Sequence, residues 1–141
     1  FLWRIINYKQ IMSAGRYPIL IEQGATLDFE IQYKDSNNLP VDLTGYGARM
    51  QIRPTAESPT AYITLSSSYV EGVSGLSLSG SHATKPPTSG SIGIFISACD
   101  TSTFNFSDAV YDLEIFTNYN NCDYVTRILQ GPVRLSKEVT R

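Results

Sequence analysis

The chain has 141 residues, a net charge of −2, and is 42% apolar but only 17% charged, short of the usual quarter. No apolar run approaches the ~18 residues of a membrane helix, and the acidic balance argues against a nucleic-acid binder that works by neutralising phosphates. One domain is the default at this length, with enough chain for a core that needs no disulfide or metal.

The opening FLWRIINYKQI is apolar and basic and leads into Met12-Ser13-Ala14-Gly15. Arg4, Asn7, Lys9 and Gln10 interrupt the apolar stretch that a secretory signal requires. Met12 is therefore read as the natural start, with residues 1–15 as an N-terminal arm or upstream extension and residues 16–141 as the single domain. The alternative is an arm that docks on a neighbouring copy, with Trp3 and Ile5 as candidate interface residues.

Period-two patterning begins at Tyr17. Tyr17–Ile21 reads as a short strand and Glu22-Gln23-Gly24 as a turn. Leu27, Phe29, Ile31 and Tyr33 then alternate with Asp28, Glu30, Gln32 and Lys34, the clearest half-buried strand. A loop at Asp35–Asn38 and a turn at Asp42–Gly45 precede a strand carrying Ala48, Met50 and Ile52 inward and Arg49, Gln51 and Arg53 outward. Short strands follow at Tyr62–Leu65 and around Leu76 and Leu78. Gly80–Gly90, with Pro86-Pro87, is the longest loop and is expected to be exposed and mobile. Ile92, Ile94 and Ile96 mark the next strand. One helical turn near Asp100–Phe104 is expected, with Asp100 as its N-cap. Tyr111, Leu113 and Ile115 alternate, Asn118–Asn121 forms a hairpin turn, and the final strand runs from about Tyr124. Gly131-Pro132 within it predicts a bulge or an edge position. About eight short strands without a long helix predict an all-β, immunoglobulin-like antiparallel β-sandwich with Greek-key connections. Leu27, Phe29, Ile31, Met50, Ile52, Ile92, Ile94, Ile96, Leu113 and Ile115 are the expected core.

The side chains with reactive groups form no catalytic or ligand-binding pattern. Asp28 and Glu30 share a strand face at a spacing that two glycosidase carboxyls would tolerate, but pairing with Arg49 or Arg53 explains them better. Asp112 and Glu114 take the same reading. His82 is a loop histidine without a nucleophile motif and is expected to be solvated. Asp35, Asn37, Asn38 and Asp42 lack calcium-loop spacing and read as turn formers. No P-loop or dinucleotide fingerprint occurs. Cys99 and Cys122 are expected to be free thiols. No catalytic residue, cofactor or metal is expected. Gly24, Asp42, Thr44 and Gly45 are structural turn residues, and Tyr119 and Tyr124, beside Asn120 and Asn121, are the other candidate interface residues.

Ile21-Glu22-Gln23-Gly24-Ala25-Thr26, then Pro40-Val41-Asp42-Leu43-Thr44-Gly45-Tyr46 with Ala48–Arg53, then Tyr111-Asp112-Leu113-Glu114-Ile115 and the closing Val125–Arg141 resemble tailed-bacteriophage structural proteins with an immunoglobulin-like domain. The resemblance runs from about Tyr17 to Arg141. It implies a non-enzymatic virion part, a tail or baseplate component acting by protein–protein assembly. It also implies other virion proteins as partners, a homo-oligomer, and assembly in the host cytoplasm before residence in the virion, without nucleic-acid or membrane binding. The alternative is a binding module displayed on the virion, for capsid decoration or for carbohydrate.

Overall fold

A computed structural model describes residues 14–140, so Trp3 and Ile5 lie outside the described residues. Alternating apolar residues pair into β1 (Gly15–Arg16), β2 (Ile19–Glu22), β3 (Leu27–Gln32), β4 (Gly47–Arg53), β5 (Ile63–Ser66), β6 (Gly75–Ser77), β7 (Ser91–Ile96), β8 (Asp108–Tyr119) and β9 (Cys122–Ser136). One helical turn, α1 (Ala98–Thr101), links β7 to β8. The larger sheet has the order β1-β9-β8-β4-β5, with β2 also pairing β9; the smaller has the order β3-β7-β6. β1 and β2 run parallel to β9, and the remaining pairs are antiparallel. The two sheets pack face to face as an all-β sandwich. No helix among the described residues is long and apolar enough to cross a membrane.

The core lies between the sheets. Met50 and Ile52 of β4, Leu113 and Ile115 of β8, and Val133 of β9 form one cluster with Leu76 of β6 and Ile92, Ile94 and Ile96 of β7. The expected core therefore holds for β4, β7 and β8, and differs at β3. Leu27, Phe29 and Ile31 are only partly buried and pack on the rim of the cluster. β3 is an edge strand whose partner, β7, lies on one side only. β7 itself does not alternate between buried and exposed. Gly93 on its outer face is buried, because the 80–90 segment lies across it. A Cβ at Gly93 would sit 2.8 Å from the Ser81 Cα and 2.9 Å from the Gly80 carbonyl oxygen.

Two local expectations are corrected. α1 is capped by Ser97, whose hydroxyl accepts the Asp100 N–H at 3.2 Å. Ser97 is extended while Asp100 is already helical, so Asp100 bonds the Ser74 hydroxyl instead. At Gly131-Pro132 the strand is neither bulged nor at an edge; β9 runs through it. β1 and β2 continue one register along β9, which sets Pro18 opposite Pro132. The Tyr17 N–H donates to the Gln130 carbonyl at 2.9 Å, so the Pro18 nitrogen one residue on faces away from β9. Of the two prolines only Pro132 lacks a ladder donor, and the Tyr17 carbonyl accepts the Tyr111 hydroxyl at 2.6 Å. Gly131 admits the Tyr17 carbonyl, which a Cβ would approach to 2.7 Å. The register shift falls instead between Leu113 and Glu114, whose partners are Leu129 and Arg127, leaving the buried Ile128 as the extra residue.

The β8–β9 turn is Asn120-Asn121, with φ of 52° and 63°. Two successive left-handed residues define the I′ geometry that matches strand twist. Leu43 is buried and Val41 partly buried at one end of the sandwich.

Candidate functional site

Three surface features gather chemistry-bearing side chains. The first is the β8–β9 hairpin. β4 stops pairing with β8 at Gly47–Phe116, while β8 and β9 continue to Tyr119–Cys122. Strand parity places Tyr119 on the face of β8 that carries Leu113 and Ile115, and Tyr124 pairs Thr117 on that face. The apolar face thus extends past the body of the sandwich, and its last two rings are exposed: Tyr119 by 68% and Tyr124 by 62%. Burial raises the Tyr33 phenol above its ordinary pKa, and the nearby Tyr46 and Tyr124 hydroxyls add to the effect. These rings therefore share one end of the molecule.

The second feature is a clasp on the outer face of the smaller sheet. His82 Nε2 lies 2.7 Å from Asp28 Oδ2, and Nδ1 lies 2.7 Å from Glu71 Oε1. Tyr69 donates its hydroxyl to Glu71, and Lys85 pairs Glu30. Sequence reasoning left His82 solvated and paired Asp28 and Glu30 with Arg49 or Arg53. His82 is exposed, yet two carboxylates engage it; the arginine pairing fails because β3 and β4 are consecutive in the chain but belong to different sheets. The β3 carboxylates instead meet the loop that folds over β7. Glu71 and then Asp28 hold the imidazole pKa above 6.5, while Tyr69 and then His82 hold Glu71 below 4.5. The Glu71 carboxylate pushes the Tyr69 phenol up to about 12.

The sign of the pH effect follows. The stabilisation from His82 is complete below pH 6.5 and is lost as pH rises through the raised folded value. That from Glu71 is present above pH 4.5 and is lost as pH falls through its lowered value. The clasp is therefore strongest in mildly acidic solution. Thermal unfolding midpoints are expected to fall as pH rises through the folded His82 value, and His82→Gln should flatten that part of the profile. An unchanged profile in His82→Gln would show that the clasp does not govern it.

The third feature is the outer face of the larger sheet. Arg49, Gln51 and Arg53 point away from the core, opposite to the buried Ala48, Met50 and Ile52. They line a trough of about 810 Å³ with Arg16, Asp112, Glu114 and Arg127. Arg49 pairs Glu114 at 2.9 Å and Arg127 pairs Asp112 at 3.3 Å. Burial raises the Asp112 carboxyl, with Arg127 pulling the other way. The β4 alternation makes half of this trough legible in sequence. The convergence of Arg16 and Arg127 is not, because it depends on which strands adjoin.

The turn residues have plain roles. Asp42 Oδ1 accepts the Thr44 N–H at 2.9 Å and the Thr44 hydroxyl at 2.6 Å, which holds the Asp42 carboxyl below its ordinary pKa. Gly45 follows at φ 81°. Asp35 Oδ1 caps its own loop through the N–H groups of Asn37 and Leu39. No group of three His, Cys, Asp or Glu side chains among the described residues is arranged to hold a metal. Cys99 and Cys122 are free and exposed. Gln23 does more than precede a turn. Its amide donates to the Phe104 carbonyl at 2.8 Å and its oxygen accepts the Glu138 N–H at 2.8 Å. The Gly24 N–H donates to the fully buried Thr101 hydroxyl at 3.1 Å. This pair of residues thus ties α1 and the segment after β9 to the start of β3.

No protein-family model matches this chain, and no curated protein matches it.

Proposed function

We propose that this chain is a non-enzymatic structural module of a tailed-bacteriophage virion, a tail or baseplate component that works by protein–protein assembly. The observation that carries the reading is the β8–β9 hairpin, whose core-side face overhangs the sandwich and displays Tyr119 and Tyr124. Tyrosines on a rigid hairpin offer large contact area at small entropic cost, as interface hot spots do. In a symmetric particle, modest contacts of this kind are multiplied by their number. The sequence motifs add support, since Gln23, Asp42 and Thr44 hold turns and strand ends rather than reacting groups. The strand orders support the immunoglobulin-like, Greek-key reading, and the exposed free thiols of Cys99 and Cys122 suit assembly in a reducing host cytoplasm.

Sedimentation of the full chain and of a chain starting at Met12 tests the reading. Both are expected to self-associate, and Tyr119→Ser with Tyr124→Ser should weaken association at least tenfold. Two monomeric chains at high concentration would overturn the homo-oligomer. Association of the full chain alone would assign the contact to the first 11 residues, which include Trp3 and Ile5, rather than to the sandwich. A second reading, a virion-displayed binding module for capsid decoration or carbohydrate, draws on the exposed grouping of Tyr119, Asn120, Asn121 and Tyr124 at the same tip. Glycan binding by a monomeric chain, lost in the same double variant, would favour it.

A further inference from the structure

We infer that the trough on the outer face of the larger sheet docks an extended acidic segment of a partner protein. Arg16, Arg49, Arg53 and Arg127 line it with Asp112 and Glu114, which leaves a surplus of two positive charges on a chain whose net charge is −2. The surplus is placed. Among the described residues Arg16 and Arg53 enter no ion pair, whereas Arg49 and Arg127 each have a carboxylate. Arg53 is held in position by neutral acceptors: its Nε and Nη2 donate to Gln51 Oε1 and its Nη1 to the Ser58 carbonyl, at 2.6–3.1 Å. A guanidinium so fixed keeps its charge and loses little freedom on meeting a carboxylate.

The shape selects an extended chain. The trough runs from β1 across β9, β8 and β4 to β5. At ~4.8 Å between strands that is about 19 Å, the reach of about six extended residues. Asp112 and Glu114 lie on the central strand, between the arginines of β4 and β9. They repel a ligand with phosphate at every step, but tolerate a peptide whose carboxylates alternate with neutral residues. The chain's own first 13 residues do not fit, since they carry Arg4 and Lys9 and no acid. A segment of a second copy fits poorly, because no two of the 13 acidic residues are adjacent or form an alternating run longer than a pair.

The test uses the full chain and the peptide Glu-Ser-Glu-Ser-Glu-Ser, with binding read by heteronuclear NMR titration at low and at moderate salt. Saturable binding is expected, with shifts on β4, β8 and β9, and weakening as salt rises. Arg16→Gln should weaken it at least threefold and Arg16→Gln with Arg53→Gln at least tenfold. Arg134→Gln, outside the trough, should change it less than twofold. Arg16 is exposed on a two-residue strand, so its variant keeps the test decisive if the Arg53 variant misfolds. Absence of binding, an equal loss in Arg134→Gln, or tighter binding of an oligothymidylate of equal charge would each overturn the inference. Such a failure leaves the virion reading standing, because that reading rests on the hairpin tip.

Discussion

Ile94→Ala is expected to destabilise the sandwich by about 2–5 kcal/mol, the range for removing a buried branched side chain and leaving a cavity. Ile94 is fully buried at the centre of β7. It pairs Phe29 of β3 on one side and Leu76 of β6 on the other, so both neighbours in the smaller sheet lose contacts with it. The larger sheet faces it across the core and cannot collapse inward without disturbing β8, which is itself held between β4 and β9. Domains of this size are stable by only about 5–15 kcal/mol, so the loss is a large share of the total. Urea unfolding followed by tryptophan-independent far-ultraviolet circular dichroism reads it. A midpoint shift equivalent to less than ~1 kcal/mol would place Ile94 outside the packed centre.

Gly90→Ala is expected to cost about 2–4 kcal/mol, from left-handed backbone strain of ~1–2 kcal/mol plus overlap with fixed backbone atoms. Gly90 has φ 68°, and a Cβ would lie 2.6 Å from the Tyr33 carbonyl oxygen and 3.1 Å from both the N and O of Val41. Those atoms are themselves engaged: the Tyr33 N–H donates to the Gly90 carbonyl at 2.7 Å and the Val41 N–H to the Tyr33 carbonyl at 3.0 Å. The new methyl group therefore has no flexible neighbour to displace. Gly45→Ala is the control. It has φ 81° but nothing within 4 Å of the added Cβ, so it should lose only the strain. Equal midpoints for the two variants in urea would show that the close approach at Gly90 costs nothing.

Alternation of apolar and polar side chains is a local property, and it located β3, β4, β7 and β8 from the residues alone. The same holds for the β8–β9 turn, because Asn120 and Asn121 tolerate the left-handed backbone that a two-residue hairpin requires. The Asp42–Thr44–Gly45 turn was legible for a similar reason, since its bonds span only two residues. What lay beyond local reach was the assignment of strands to sheets. β3 and β4 follow one another in the chain, yet they belong to different sheets instead of pairing. That choice gave Asp28 to His82 and Glu30 to Lys85, and gave Arg49 to Glu114. It also brought Arg16 and Arg127 to the side of Arg53, and made β3 an edge with half-buried leucine, phenylalanine and isoleucine. The burial of Gly93 was equally hidden, because nothing in the β7 pattern announces that a distant loop will cover its second face. A period of two tells each side chain which way to point, whereas its partner is set by which strands bury the most apolar surface together, and that is decided only when both sheets close on one core.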